Sequence, residues 1–248
     1  MARVHAAAIV DPRAELAEDV VVGPYAIVEA GVILGDGCVL HAHAVVRGPT
    51  RLGPRNAVHP FAVVGGEPQA KHHRGGPARV ETGEGNVFRE HATVHGGTEG
   101  RATRIGMANL FMVGAHVAHD VVIGSHCVFA NSVQLAGHAL VGDWVTFGGL
   151  SGVAQHVRVG ESAFIAAAAA CERDVPPFVV VQGDRARVRG VNVIGLRRRG
   201  VPEASIRALQ RASRKLWPPH GTRADALKEL DTSEDPYVRQ LIRALRGD

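Results

Sequence analysis

A stack of short parallel strands, coiled into a triangular prism and closed by a small helical tail, is the fold that this sequence predicts. Three observations carry the prediction: an aliphatic residue recurs every six positions, glycine is far commoner than aromatic residues, and the spacing turns helical after about residue 200. The chain has 248 residues, 46% of them hydrophobic, with 30 Gly against 7 Phe, 2 Trp and 2 Tyr. It is too apolar to be disordered and long enough for one large domain or two smaller ones.

The period begins at once. Val4, Val10, Leu16, Val22, Val28, Leu34, Leu40, Val46, Leu52, Val58 and Val64 follow one another in steps of six without a miss. Four residues after each stands a second, mostly small residue: Ala8, Ala14, Val20, Ala26, Val32, Cys38, Ala44, Thr50, Asn56 and Ala62. Gly23, Gly35, Gly53 and Gly65 follow the aliphatic residue directly, where they are expected to let the backbone bend at the corners. One large and one small inward position per unit is a hexapeptide repeat, too short for a helix pair and of the wrong period for an amphipathic helix. Three units per coil make a prism in which residues 18 apart lie above one another. Thr82, Phe88 and Val94 hold the register briefly, and from Ile105 through Phe111, Val117, Ile123, Phe129, Leu135, Val141, Phe147, Val153, Val159 and Ile165 to Cys171 the step resumes one residue out of phase. The interruptions, residues 65–81 and 97–104, read as loops leaving the stack. Pro176-Pro177 should end it, since proline cannot donate to a central ladder. Beyond Pro202, Ile206, Leu209 and Leu216 fall at helical spacing, Pro218-Pro219 breaks the pattern, and Ala224–Leu230 and Tyr237–Leu245 are two further short helical segments. The expected organisation is a prism over residues 1–190 and a helical domain over 191–248. Prisms of this hexapeptide class are left-handed parallel β-helices, an exception to the usual crossover hand, and that hand is expected here by resemblance to the class.

Charge and cysteine content narrow the functions. The net charge is +4, and arginines crowd the C-terminal part at Arg185, Arg187, Arg189 and Arg197 to Arg199, which suits an acidic partner or a phosphate better than a nucleic-acid coat. No apolar run approaches membrane-spanning length and no signal-peptide core precedes Asp11 and Arg13, so a cytoplasmic protein is expected. Cys38, Cys127 and Cys171 all occupy inward positions of the register, as buried thiols and not as a disulfide framework or structural zinc site.

The chemistry concentrates in His116-Val117-Ala118-His119-Asp120. His138 lies 19 residues after His119, and Gln155 and His156 lie about one coil further on, so these residues with His116 and Gly137 should line one groove. A histidine near neutrality accepts a hydroxyl proton, a neighbouring carboxylate fixes its tautomer, and a glycine can present its N–H to an oxyanion. Isolated histidines such as His5, His41, His126 and His220 read as solvated turn residues. A zinc site is the competing use of histidine, with His72, His73, His91, His95, His116 and His119 as candidates, but no spacing brings three of them together.

The sequence resembles the UDP-N-acetylglucosamine O-acyltransferase family of lipid A biosynthesis over essentially its whole length. The resemblance rests on Pro68-Gln69, Arg79-Val80-Glu81, Arg89-Glu90 with Thr93-Val94-His95, Ala115 to Asp120, Leu135-Ala136-Gly137-His138, Asp174 to Phe178, Gln182-Gly183, and Gly190-Val191-Asn192 leading to Gly195 through Gly200. It implies that His119 is the general base toward the 3-hydroxyl of the glucosamine, oriented by Asp120. The acyl donor is a 3-hydroxyacyl group on acyl carrier protein, and Gly137 supplies the oxyanion N–H. It implies that Gln69, His72, His116 and His138 contact substrate, that Gln155 lies along the acyl and pantetheine groove, that Asn192 meets the uracil, and that Arg198 and Arg199 meet phosphate. Ala167 matches a position where side-chain size measures acyl length, and alanine there implies a somewhat shorter chain than glycine. The family's sites form between subunits of a homotrimer, without metal or bound cofactor. The acidic carrier protein would answer the basic C-terminal half. Ala70, His72, Ala154 and Ile194 depart from the family pattern, which keeps open an acyltransferase with a different sugar-nucleotide or amine acceptor. A gamma-class carbonic anhydrase-like zinc enzyme and a non-catalytic scaffold are the remaining alternatives.

Overall fold

The computed structural model describes residues 1–218 and 223–247; His220, expected to be a solvated turn residue, lies outside them. The chain forms a left-handed parallel β-helix of three sheets, carrying 11, 9 and 8 strands, whose members recur in every third position of the chain. Most strands are only two residues long, because one inward aliphatic residue and its outward neighbour fill a prism face before the next corner. The register follows the six-residue period: Val21 pairs with Val39 and Val22 with Leu40, and Gln134 pairs with Gly152.

The two interruptions lengthen individual coils. Phe88 pairs with Val58, 30 residues earlier, and Phe111 pairs with Phe88, 23 earlier, so both coils are longer than the regular one. The second lengthening is not a multiple of six, and that shifts the phase. Both excursions are narrower than the sequence suggested. Val63–Gly66, Arg79–Thr82 and Ala102–Ile105 are strands, and Arg79 through Thr82 pair in full with Ala102 through Ile105. Only residues 67–78 and 96–101 leave the ladder.

The core is a column of inward side chains. Phe88, Phe111, Phe129 and Phe147 are fully buried and stack with ring centroids 5.0, 4.6 and 5.0 Å apart. Burying each ring stabilises the fold by about 1.5–3 kcal/mol. In the first coil the inward Val4 remains exposed because no coil lies beneath it. All three cysteines are buried; burial pushes the thiols of Cys127 and Cys171 up to about 12 and about 11, so they are inert hydrophobes.

The stack does not end at Pro176-Pro177. The prolines stand at a corner, where no ladder N–H is required, and Val179–Gln182 resumes parallel pairing with Phe164–Ile165. The last strand, Arg187–Val191, then turns back antiparallel, across the expected division at residue 190. Helix α1 (Val193–Arg198) was not expected from the sequence; Asn192 caps it, accepting from Gly195 N. Helices α2 (Glu203–Leu216), α3 (Ala224–Leu230) and α4 (Pro236–Arg246) pack Ile206, Leu209, Leu216, Leu241 and Ile242 into a second core around Phe178.

Candidate active site

Stacking at 18 residues places Gly137 directly over His119 and His138 over Asp120. A Cβ at residue 137 would lie 2.7 Å from His119 Cε1 and 2.8 Å from Nε2, so the missing side chain is the space that the imidazole occupies. His119 and Asp120 are buried. His119 Nδ1 lies 2.8 Å from Asp120 Oδ2. With Asp120 ionised, Nδ1 carries the proton and donates, which leaves the Nε2 lone pair free as a base.

Asp120 is held from several directions. The Thr98 hydroxyl donates to Oδ2 at 2.7 Å, the Thr98 amide donates to Oδ1 at 3.1 Å, and the amide of Asp120 itself donates to the Thr103 hydroxyl at 2.9 Å. Burial opposes ionisation of this carboxyl, but the bonds from His119 and Thr98 outweigh it and hold the group below the ordinary carboxylate range. Gly137 N–H donates to no acceptor among the described residues, so a buried donor stands beside the base.

The neighbouring histidines are kept neutral. His116 Nδ1 shares a 2.8 Å hydrogen bond with the Thr93 hydroxyl, and burial, with a smaller contribution from His95, pushes the imidazole down to about 4. Burial likewise lowers His138, against the pull of Asp120, whose Oδ2 lies 3.8 Å from His138 Nε2. The rings of His119 and His138 meet edge to face at 5.0 Å.

His119, Asp120 and His138 are also the one group of three among the described residues whose ligand atoms lie within 4.8 Å of one another. His119 Nδ1 and Asp120 Oδ2 are engaged in the hydrogen bonds above, an arrangement that orients the imidazole. Of the six histidines weighed as zinc ligands, only His119 belongs to this group. The hydrogen-bonded pair can carry acid–base chemistry through His119 Nε2.

Two cavities meet at the base. One, of about 460 Å³, is lined by Gln69, His116, His119, Gly137, Ala154 and Gln155; the other, of about 640 Å³, by the excursion from Gln69 to Gly75 with Thr98, Glu99, His119, His138 and Gln155. His72 lines the second cavity, and so do Lys71 and Arg74, which sequence reasoning passed over. Lys71 places a cation one position before His72. Thr98, Thr103 and Glu99 were also missed, because they lie where the six-residue period fails.

Asn192, Arg198 and Arg199 are not brought to the base within one chain. They line a separate cavity of about 680 Å³ with Trp144, Phe164 and the exposed Ile194. Asn192 is buried with its amide donating to the Ser162 carbonyl at 2.9 Å and capping α1, and Arg199 pairs with Glu161, bonds Ser162 Oγ at 2.8 Å and lies over Trp144. Both are therefore largely engaged in holding the tail to the prism. Arg198 is exposed and has no ion-pair partner among the described residues. Ala167 is exposed and lines none of these three cavities.

Comparison with known proteins gives one consistent result. The family described as Udp N-acetylglucosamine O-acyltransferase, domain 2, matches residues 174–248. The acyl-(acyl-carrier-protein)–UDP-N-acetylglucosamine O-acyltransferase of Thiobacillus denitrificans is 44% identical over 255 residues, covering 100% of this chain and 99% of the relative. The enzyme of the same name from Alkalilimnicola ehrlichii is 48% identical over 245 residues, covering 97% and 95%. Among solved structures, LpxA from Acinetobacter baumannii superposes with a TM-score of 0.93 at 37% identity, covering 98% of this chain and 96% of that one. LpxA from Bacteroides fragilis, a UDP-N-acetylglucosamine acyltransferase, gives 0.94 at 30% identity with the same coverage.

Proposed function

The chain belongs to the UDP-N-acetylglucosamine O-acyltransferase family, and on that premise we propose how its residues move an acyl chain from acyl carrier protein to UDP-N-acetylglucosamine, the first step of lipid A biosynthesis. The observation that carries the proposal is the buried His119–Asp120 pair packed against Gly137 where two cavities meet.

His119 Nε2 takes the proton of the sugar 3-hydroxyl as its oxygen attacks the thioester carbonyl carbon of the 3-hydroxyacyl donor. The carbonyl electrons move onto oxygen, and the Gly137 N–H stabilises the resulting oxyanion. Asp120 stabilises the imidazolium without taking its proton. Collapse of the intermediate re-forms the carbonyl, breaks the C–S bond and returns the proton from Nε2 to the leaving thiolate. Gln69, His72, His116 and His138 bind the acceptor, with the Lys71 ammonium available to its phosphates. Gln155 lines the path of the acyl and pantetheine chain.

The enzyme works as a cytoplasmic homotrimer. The cavity of Asn192, Arg198 and Arg199 then completes the site from a neighbouring subunit, with Arg198 as the free cation for phosphate and Asn192 beside the uracil. Val122 and Leu140, exposed and paired on adjacent coils, support burial against another copy. The prism and the helical tail act as two units, the tail presenting its arginines to the carrier. Among the described residues no helix is long and apolar enough to cross a membrane.

The test is mass spectrometry of products after mixing the protein with UDP-N-acetylglucosamine and carrier proteins bearing 3-hydroxyacyl chains of graded length. An acylated nucleotide is expected, with Ala167→Gly extending the accepted length. Absence of product with every donor, from folded protein, would overturn the acceptor and lead to other sugar nucleotides or amines.

A further inference from the structure

The excursion at residues 96–101, which breaks the repeat, places one residue against the catalytic pair. We infer that Thr98 is a positioning residue for the transfer, acting on His119 through Asp120; the inference rests on the acyltransferase reading above. Thr98 offers two donors to one carboxylate, its hydroxyl at 2.7 Å from Oδ2 and its amide at 3.1 Å from Oδ1. Oδ2 is also the oxygen that accepts from His119 Nδ1 at 2.8 Å. The hydroxyl therefore competes with the imidazole for the charge of a single oxygen. It fixes the plane of the carboxylate and limits how strongly Asp120 favours the imidazolium.

The brace is itself anchored. Gly97 N donates to the Arg79 carbonyl at 3.0 Å, Gly96 N to the Gly66 carbonyl at 2.9 Å, and Arg101 N to the Thr98 carbonyl at 2.9 Å. A Cβ at Gly96 would fall 2.1 Å from the Ala78 oxygen, so the excursion lies hard against the strand ends on either side of residues 67–78. A threonine on a freely moving loop could not set a carboxylate plane; this one is tied to the ladder on both flanks. The charged and titratable groups around the pair are His95, His116 and His138 from the prism, and Glu99 and Arg101 from the excursion itself. Of these groups only His138 approaches the Asp120 carboxylate, at 3.8 Å.

The experiment compares Thr98→Val, which removes the hydroxyl and keeps the amide, with Thr98→Ser, which keeps both, in the full-length protein. Thr98→Val is expected to lower kcat about tenfold with KM for the nucleotide within about twofold, and to move the acid limb of the rate profile up by about half a pH unit. Thr98→Ser is expected to stay within about twofold of the wild type. In an Asp120→Ala background, Thr98→Val should have no further effect, because the carboxylate through which it acts has gone. Carbethoxylation of His119 by diethyl pyrocarbonate, followed against pH by peptide mass spectrometry, reads the same shift without substrate. That readout separates failure of this inference from failure of the acyltransferase reading. Superimposable rate and modification profiles for wild type and Thr98→Val would overturn the inference. So would equal losses in the Val and Ser variants accompanied by a lower melting temperature, which would make the role structural.

Discussion

His119 and Gly137 form one device. His119 is buried because the residue above it has no side chain, and in the proposed mechanism that same residue's N–H is the donor for the oxyanion. Gly137→Ala is therefore expected to push the imidazole off Asp120 and lower kcat about a hundredfold while melting with the wild type; unchanged kcat would show that the ring has room to move. His116 gives a different signature. Its folded value of about 4 lies below the ordinary 6.5, so on acidification the unfolded chain takes up the proton first. This contribution to stability is complete above about 6.5 and is lost as pH falls toward about 4. Urea midpoints at pH 7.5 and 5 should fall less in His116→Gln than in the wild type, and an equal fall in both would contradict the assignment. The pair itself was legible in the sequence, because His-Asp adjacency and a stack of 18 residues bring the groups together. Thr98 and Thr103 were not, since hydrogen bonds made by an irregular excursion leave no periodic trace.

The elements were legible wherever one inward residue decides them. The aliphatic step located the strands through Cys171; the insertion that lengthens a coil to 30 residues showed as missing steps with the phase kept, and the one that makes it 23 showed as a shifted phase. The corners were misread. Glycines after the strands were expected to let the backbone bend, yet Gly35 and Gly53 do not have positive φ and serve close approach instead; a Cβ on either would meet the next coil's backbone within 3.0 Å. Left-handed backbone falls instead on residues such as Tyr25, Asp120 and His138. The repeated ladder imposes that conformation, and aspartate tolerates it better than most residues. Asparagines were likewise counted only as small inward residues. Asn109 Nδ2 donates to Asn86 Oδ1 at 2.9 Å and to the Gly124 carbonyl at 3.0 Å, and its Oδ1 accepts from Cys127 N at 2.7 Å. Asn109→Ala strands these buried partners and should cost about 2–4 kcal/mol, read as a lower urea midpoint at unchanged slope. A cost below about 0.5 kcal/mol would show that water replaces the ladder.

At the scale of the molecule, the prism is a regular ladder, and the excursions and tail carry the residues proposed for recognition. Short α1 escaped the sequence because an asparagine cap and six residues carry little helical pattern, and the last coil escaped because the proline pair was read as an end when it is a corner. The split between the His119 groove and the Arg198 cavity within one chain follows from the same geometry, since the two line different surfaces of the stack. It is the reason a neighbouring subunit is invoked to bring them together. The proposed mechanism turns on His119 as the base. The most direct test is the steady-state kcat of His119→Ala beside the wild type, at saturating nucleotide and 3-hydroxyacyl carrier protein, with the oligomer mass of both verified. The account predicts a fall of about a thousandfold with the assembly intact. A variant that folds, assembles and retains kcat within about tenfold of the wild type would contradict it.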